Sequence, residues 1–219
     1  MKFTRDEIRK SMLLYAVTDQ MWLKEGETLL DVCENVLENG ATFPQIREKD
    51  LSEEAFEQEA AKLKDLCAKY RVPYVVNDSV EIAVDIDADG VHVGQSDIKG
   101  RDIRAIIGPD KILGISAGTV EEAVAAEKAG ADYIGVGAVF ATSTKKNARN
   151  LSREQLLAIC NAVTIPVVAI GGISAGNILE LSGSGVDGVA VVSAIFGAQD
   201  PGKATAELLA LSREMVAHG

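Results

Sequence analysis

Eight short apolar runs alternate with longer segments of helical period along the chain. That alternation predicts an α/β fold, a single (β/α)8 TIM barrel with an extra N-terminal helix. Two further observations point the same way. Several of the runs are apolar throughout, as parallel strands covered on both faces must be. No linker, Pro/Gly-rich tract or low-complexity run divides the 219 residues, a length close to the roughly 250 typical of this architecture. The expected organisation is one domain over 1–219, with an N-terminal helix at 1–12, the barrel and its ligand loops at 13–197, and a C-terminal helix at 198–219. An open, doubly wound sheet is the alternative arrangement of the same alternation.

The helix at 1–12 precedes a first strand at 13–17. A helix at 28–39 then sets Leu29, Val32, Cys33, Val36 and Leu37 on one face. The second strand, 42–46, contains Pro44. Proline lacks a ladder N–H, so this strand must start late or bulge just before Gln45. Ser52 caps a helix at 52–70 without the acid that completes a capping box, and Ala60, Leu63 and Leu66 run along it. Strands three and four, 74–76 and 90–93, enclose a weak helix at 80–85, and another at 101–107 leads to strand five, 112–115. Thr119 caps a helix at 120–129 ahead of strand six, 133–136. Ser152 caps a helix at 152–163 ahead of strand seven, 167–170. A weak helix at 174–182, strand eight at 188–192 and a helix at 204–216 finish the chain. The turns Ala129-Gly130-Ala131-Asp132 and Gly183-Ser184-Gly185-Val186-Asp187 recur where helix returns to strand, with glycine as the helix stop.

Hydrophobic residues make up 47% and aromatic ones 5%, which predicts a core that is mostly aliphatic and alanine-rich. The net charge of −11 argues against nucleic acid and anionic membrane as partners. Small anions remain compatible if cations are focused locally or a metal neutralises nearby carboxylates. Cys33, Cys67 and Cys160 are odd in number, lack a Cys-x-x-Cys spacing and fall in amphipathic helices, so they read as buried thiols. No signal peptide is expected at the start of the chain, and no apolar stretch approaches 18 residues. A cytoplasmic protein acting on small molecules is expected, with homo-oligomerisation left open.

In this architecture reactive groups gather at the C-terminal ends of the strands, and unusual polar residues collect there. Gln45, Arg47 and Lys49 alternate after strand two, a spacing suited to gripping a multiply charged anion; a solvated charged loop is the plainer reading. Asn77 and Asp78 follow strand three, and Asp97 follows strand four. Asp78 and Asp97 then stand on adjacent strand ends, where two carboxylates suffice for Mg²⁺; two unrelated turn aspartates are the alternative. His92 reads as a packed strand residue. Ser116 closes strand five, and Thr142, Thr144 and Lys145 follow strand six in a loop fit to clasp phosphate. Gly171-Gly172 after strand seven and Val192-Ser193 after strand eight read as a backbone phosphate cup. Two anion sites in one mouth suggest an enzyme that joins two phosphorylated substrates or moves a group between them.

The motifs Leu14-Tyr15-Ala16-Val17-Thr18-Asp19, Gln45-x-Arg47-x-Lys49, Asn77-Asp78, Gly90-Val91-His92-Val93-Gly94-Gln95-x-Asp97, Gly114-Ile115-Ser116, Thr142-x-Thr144-Lys145 and Ala169-Ile170-Gly171-Gly172-Ile173 together resemble the thiamine phosphate synthase family, in order from about residue 13 to residue 197. The resemblance implies a transferase that condenses hydroxymethylpyrimidine diphosphate with hydroxyethylthiazole phosphate through a pyrimidine carbocation, releasing diphosphate. It implies that Arg47, Lys49, Ser116 and Lys145 hold and stabilise the diphosphate and that Asp78 and Asp97 bind Mg²⁺. It also implies that Gln45 and Asn77 orient the pyrimidine and its diphosphate, and that Thr142, Thr144, Gly172, Val192 and Ser193 place the thiazole phosphate. Pro44 departs from the apolar, non-proline residue that the resemblance leads one to expect.

Three other readings compete. A thiazole tautomerase on the same barrel resembles a histidine-based catalyst just after strand five, where this chain has Ser116-Ala117-Gly118-Thr119. A non-catalytic, phosphate-binding regulatory barrel would need the cup but not the leaving-group residues. An aldolase or decarboxylase barrel would need a strand-borne lysine in an apolar setting. Closure of the 142–150 loop over the substrates is a further expectation, because a carbocation must be kept from water.

Overall fold

The computed structural model describes residues 3–142 and 150–217. Its strands are β1 (Leu14–Val17), β2 (Phe43–Ile46), β3 (Val75–Asn77), β4 (Gly90–Val93), β5 (Ile112–Ala117), β6 (Tyr133–Gly137), β7 (Val167–Ile170) and β8 (Gly188–Val191). They pair in sequence order into a closed parallel barrel, β8 returning to β1 through Tyr15 opposite Ala190. The open-sheet alternative is thereby set aside. Among the described residues, no helix is long and apolar enough to cross a membrane.

Because successive strand residues face opposite sides, the buried side chains fall into two sets. The outer set, including Leu14, Ile46, Val76, Val91, Ile115, Ile134 and Val189, packs against the surrounding helices. The inner set fills the barrel with Tyr15, Val17, Phe43, Val75, Ile112, Tyr133, Val168 and Ala190. The core as a whole is mostly aliphatic and alanine-rich, as expected, but the barrel axis also holds aromatic rings. Tyr15, Phe43 and Tyr133 form an aromatic cluster at the centre, with ring centroids 4.6 to 5.9 Å apart. Three of the chain's ten Phe, Tyr and Trp residues meet there, where large side chains fill the most space.

The extra N-terminal helix is α1 (Arg5–Ser11), and Thr4 and Glu7 form a reciprocal capping box at its start. Ile8 of α1 and Met12 beyond it are buried against the inner set, so α1 stoppers the end of the barrel opposite the strand C-termini. The other helices are α2 (Leu29–Glu38), α3 (Glu53–Tyr70), α4 (Val80–Asp85), α5 (Ile103–Ile107), α6 (Val120–Lys128), α7 (Arg153–Ala162), α8 (Ser193–Phe196) and α9 (Pro201–Ala217). Ser52 caps α3 through the Ala55 N–H alone, whereas Ser152 makes a full box with Gln155 at α7. The returns to the strands share a device. Asp132 and Asp187 each accept a backbone N–H from the start of the preceding strand, Leu113 and Val167, and return their own N–H to the same residue.

Four local expectations need correction. Pro44 lies within β2, buried and opposite Ala16, so the strand does not wait until after it. Thr42 N–H and Gln45 C=O, on either side, carry the bonds to β1, so the missing N–H is bridged by its neighbours. The helix expected at 174–182 shrinks to a 3₁₀ turn, Ile178–Leu181. Asn177 explains this: its side chain accepts from Ser174 N–H and donates to Gly172 C=O, substituting local bonds for helical ones. The weak helix at 101–107 starts only after Asp102, whose carboxylate caps it. Cys33 and Cys67 are buried, but Cys160 is only partly so.

Candidate active site

Strands β3 and β5 run further than their apolar runs suggest, so Asn77 and Ser116 are the last or nearly last ladder residues rather than loop positions. Both stand at the C-terminal mouth. Just beyond β3, Asp78 takes a left-handed backbone (φ 62°), and its N–H donates to the His92 carbonyl at 2.8 Å. This turn brings its carboxyl beside that of Asp97. Desolvation against the rim, and then the Asp97 charge, raise the Asp78 carboxyl above its ordinary range, while Lys49 draws it back. Asp97 is itself held by the Gly94 N–H at 2.7 Å and the Ser96 hydroxyl at 3.2 Å.

Two carboxyls so close that their charges oppose one another are a donor set that a hard divalent cation satisfies. Among the described residues, no group of three or more His, Cys, Asp or Glu side chains gathers as a metal site. Mg²⁺ typically takes one or two carboxylates and fills its shell with water and phosphate oxygens, so the pair fits Mg²⁺ and fits zinc poorly.

Arg47 extends from the end of β2, with one guanidinium nitrogen 3.5 Å from Asp19. Thr18, buried at the end of β1, accepts the Arg47 N–H at 2.9 Å and donates its hydroxyl to Glu48 at 2.9 Å. Burial pushes the Glu48 carboxyl up to about 7, with Glu59 and Asp19 adding to the effect. Lys49 is exposed at the rim.

Gln45 is buried, and its side-chain amide donates to the Tyr15 hydroxyl. From there a chain of hydrogen bonds crosses the barrel. Tyr15 and Tyr133 hydroxyls are 2.8 Å apart, Tyr133 Oη is 2.9 Å from His92 Nδ1, and His92 Nε2 is 3.0 Å from Ser116 Oγ. Burial raises the pKa of both tyrosines far above its usual place, so both stay phenols. Space for the rings comes from glycines: a Cβ on Gly114 would lie 2.2 Å from Tyr133 Cζ and 2.5 Å from His92 Nδ1. The packed-residue reading of His92 therefore misses its setting. The signal that could have found it is the pair Gly114 and Gly135, which leave one interior face empty beside it.

On the other side of the mouth, Gly171 and Gly172 have φ of 103° and 67°. A Cβ on Gly172 would stand 2.3 Å from the Ala141 carbonyl, so the chain leading to Thr142 runs against it. Val192 caps α8 and Ser193 is exposed at its first turn. Since β7 and β8 are paired, these groups line one side of the rim together. Thr144 and Lys145, and most of the loop expected to close, lie outside the described residues. The structure thus gathers Gln45, Arg47, Lys49, Asn77, Asp78, Asp97 and Ser116 on one arc, and Thr142, Gly172, Val192 and Ser193 on the other.

Comparison with known proteins bears on this arrangement. Residues 14–195 match the family model described as thiamine monophosphate synthase. A thiamine-phosphate synthase of Ruminiclostridium cellulolyticum is 50% identical over 90% of this chain and 92% of its own. One from Methanobrevibacter smithii is 46% identical over 90% and 93%. The solved thiamine phosphate pyrophosphorylase of Pyrococcus furiosus superposes with a TM-score of 0.86 at 39% identity, covering 95% of this chain and 99% of that one. A glycerol-phosphate-binding (S)-3-O-geranylgeranylglyceryl phosphate synthase of Thermoplasma acidophilum, 14% identical with a TM-score of 0.69, shares the fold alone. With the family model and these relatives covering nearly the whole barrel, the chain belongs to the thiamine monophosphate synthase family.

Proposed function

We propose that this protein is a thiamine phosphate synthase. It condenses 4-amino-2-methyl-5-hydroxymethylpyrimidine diphosphate with 4-methyl-5-(2-hydroxyethyl)thiazole phosphate, giving thiamine phosphate and diphosphate. The observation that carries the reading is the arc on which the Asp78–Asp97 pair, Lys49 and Ser116 meet beside the buried amide of Gln45. An arc of that kind combines an anion grip with a recognition group for a flat heterocycle.

Departure of diphosphate concentrates negative charge on the leaving oxygens, and groups already aimed at that place lower the barrier most. Arg47, Lys49, Lys145 and the Ser116 hydroxyl fill this role. Arg47 is preset by Asp19 and by the Thr18 clasp on its backbone. Asp78 and Asp97 would hold Mg²⁺, which when bound supplies additional positive charge against the same oxygens. In a chain of net charge −11, such local cations are what make anion binding feasible. Gln45 and Asn77 orient the pyrimidine, and Thr142, Thr144, Gly172, Val192 and Ser193 hold the thiazole phosphate so that its ring nitrogen meets the cationic carbon. No protein base is needed, because the aminopyrimidine itself donates electrons to that carbon.

The tautomerase alternative gains one observation, since His92 reaches the end of β5 from β4. His92 stands on β4 rather than after β5, however, and its Nε2 is engaged by the Ser116 hydroxyl. A cytoplasmic location is part of the same reading, supported by the lack of a disulfide among Cys33, Cys67 and Cys160. The test is turnover with both substrates and Mg²⁺, reading thiamine phosphate. We expect product, its loss on chelation, and a fall of about 100-fold in Asp97→Ala. Well-folded protein that yields no product would refute the proposal.

A further inference from the structure

The chain Gln45–Tyr15–Tyr133–His92–Ser116 joins the β2 and β5 ends of the first arc through the barrel interior. Heavy-atom positions allow it two directions, because an amide can be turned end for end, a hydroxyl can rotate and a neutral imidazole has two tautomers. The directions are not independent link by link. With the imidazole neutral and the hydrogen of each buried tyrosine hydroxyl used within the chain, reversing any link reverses them all.

In one direction Gln45 Nε2 donates to Tyr15, Tyr15 to Tyr133, Tyr133 to His92 Nδ1, and His92 Nε2–H to Ser116. Gln45 then offers its carbonyl oxygen to the mouth, and Ser116 keeps its own hydrogen to donate. In the reverse direction Ser116 gives its hydrogen to His92, leaving only lone pairs toward the mouth, and Gln45 presents its NH₂. The ligands choose between them. A diphosphate has only acceptor oxygens and needs a donor, while an aminopyrimidine has an NH₂ donor for the Gln45 carbonyl and ring-nitrogen acceptors besides. The first direction satisfies the diphosphate and the amino group together, and the second fails at the diphosphate end.

We infer that this buried relay is a one-way device in which Tyr133 and Tyr15 are positioning residues, locking His92 as the Nε2–H tautomer so that Gln45 accepts from one substrate group while Ser116 donates to another. The inference rests on the synthase reading for the ligands, but the direction itself is a property of the free protein. The surroundings favour a fixed state. Tyr15 and Tyr133 are about 2% exposed or less, and Gly114 and Gly135 leave no slack around the imidazole, with closest virtual Cβ distances to it of 2.5 and 3.1 Å.

The test uses long-range ¹H–¹⁵N correlation of the imidazoles in substrate-free protein. The chain has two histidines, so His218→Gln leaves a spectrum of His92 alone. We expect Nε2 to carry the proton and Nδ1 to have the shift of a bare acceptor. Tyr133→Phe keeps the ring and its packing but removes the hydroxyl in the middle of the relay. In it the tautomers should mix, and kcat should fall about tenfold with KM for the thiazole phosphate unchanged. An Nδ1–H ring in the wild-type protein would overturn the inference, as would Tyr133→Phe with an unaltered tautomer and unaltered kcat. A protein with the expected tautomer but no synthase turnover would uphold the direction and refute the functional reading, so the two failures are distinguishable.

Discussion

Gly114→Ala tests the barrel interior most sharply. The added methyl would stand 2.2 Å from Tyr133 Cζ, 2.3 Å from its hydroxyl and 2.5 Å from His92 Nδ1. Tyr133 cannot retreat, because it is fully buried with Phe43 5.5 Å away on one side and Tyr15 5.9 Å away on another. Overpacking of this kind costs about 1–3 kcal/mol. Displacing either ring also breaks the Tyr133–His92 bond and leaves a buried polar atom unpaired, at about 1–3 kcal/mol more. Together they make about 2–6 kcal/mol, or a fall in Tm of roughly 4–24 °C for a domain of this length. Urea and thermal unfolding followed by far-ultraviolet circular dichroism measure it, with turnover measured in parallel. Gly118→Ala, whose methyl would meet nothing nearer than 3.5 Å, is the control, expected within about 0.5 kcal/mol of wild type. If Gly114→Ala matched that control in both stability and turnover, the slot would not be rigid and the relay would not be held as described.

Two further substitutions probe other parts of the frame. Glu48, raised from 4.5 to about 7, binds its proton more tightly in the folded chain, so stability falls as pH rises from about 4.5 to about 7 and the loss is complete above that window. Glu48→Gln should remove this slope and stabilise the protein above pH 7 by about 1–3 kcal/mol; unfolding midpoints at pH 5 and pH 8 that differ as they do in wild type would contradict it. Arg104 donates to the carbonyls of Gly108, Lys111 and Gly130 and to Asp132 at the closed end of the barrel. Arg104→Ala should cost about 2–3 kcal/mol in urea unfolding while leaving kcat near wild type, and a kcat loss without a stability loss would show that this clamp acts on the mouth instead.

The barrel was legible because its code is redundant. Eight apolar runs, the helix caps at Ser52, Thr119 and Ser152, and the glycine returns all point to one topology, so an error at any one of them changes little. The rim residues were legible for a related reason, since charged side chains directly after apolar strands have few structural uses. What the sequence concealed depends on contacts between strands distant in the chain. Tyr133 and His92 are 41 residues apart and Tyr15 and Tyr133 are 118 apart, and neither pair has a spacing that local pattern reading can weigh. Pro44 was hard to judge because ladder rules describe the average strand, and here the bonds to β1 are made by its neighbours. The helix expected at 174–182 was lost to one side chain, Asn177, whose two bonds within a tight loop outweigh weak periodicity.

The polar interior explains why an acidic, aliphatic-rich chain places its aromatic residues where it does. A barrel filled only with Val, Ile and Ala would be stable, but it could not orient a rim amide and a rim hydroxyl from below. Replacing the upper layer by Gln45, Tyr15, Tyr133, His92 and Ser116 supplies that support, provided that every buried polar atom in it is paired, because each orphan costs about 1–3 kcal/mol. Pairing requires rings large enough to span the barrel and neighbours small enough to admit them, which is the relation between Tyr133 and Gly114. The lower layer pays no such cost: Ile112 and Val168 share an apolar cluster with Ile8 and Met12. Stability is therefore concentrated beneath the relay and specificity within it. On this account, substitutions among the lower residues should change unfolding free energy with little effect on the His92 tautomer, whereas changes at Tyr15 or Tyr133 should alter the tautomer even where stability is preserved.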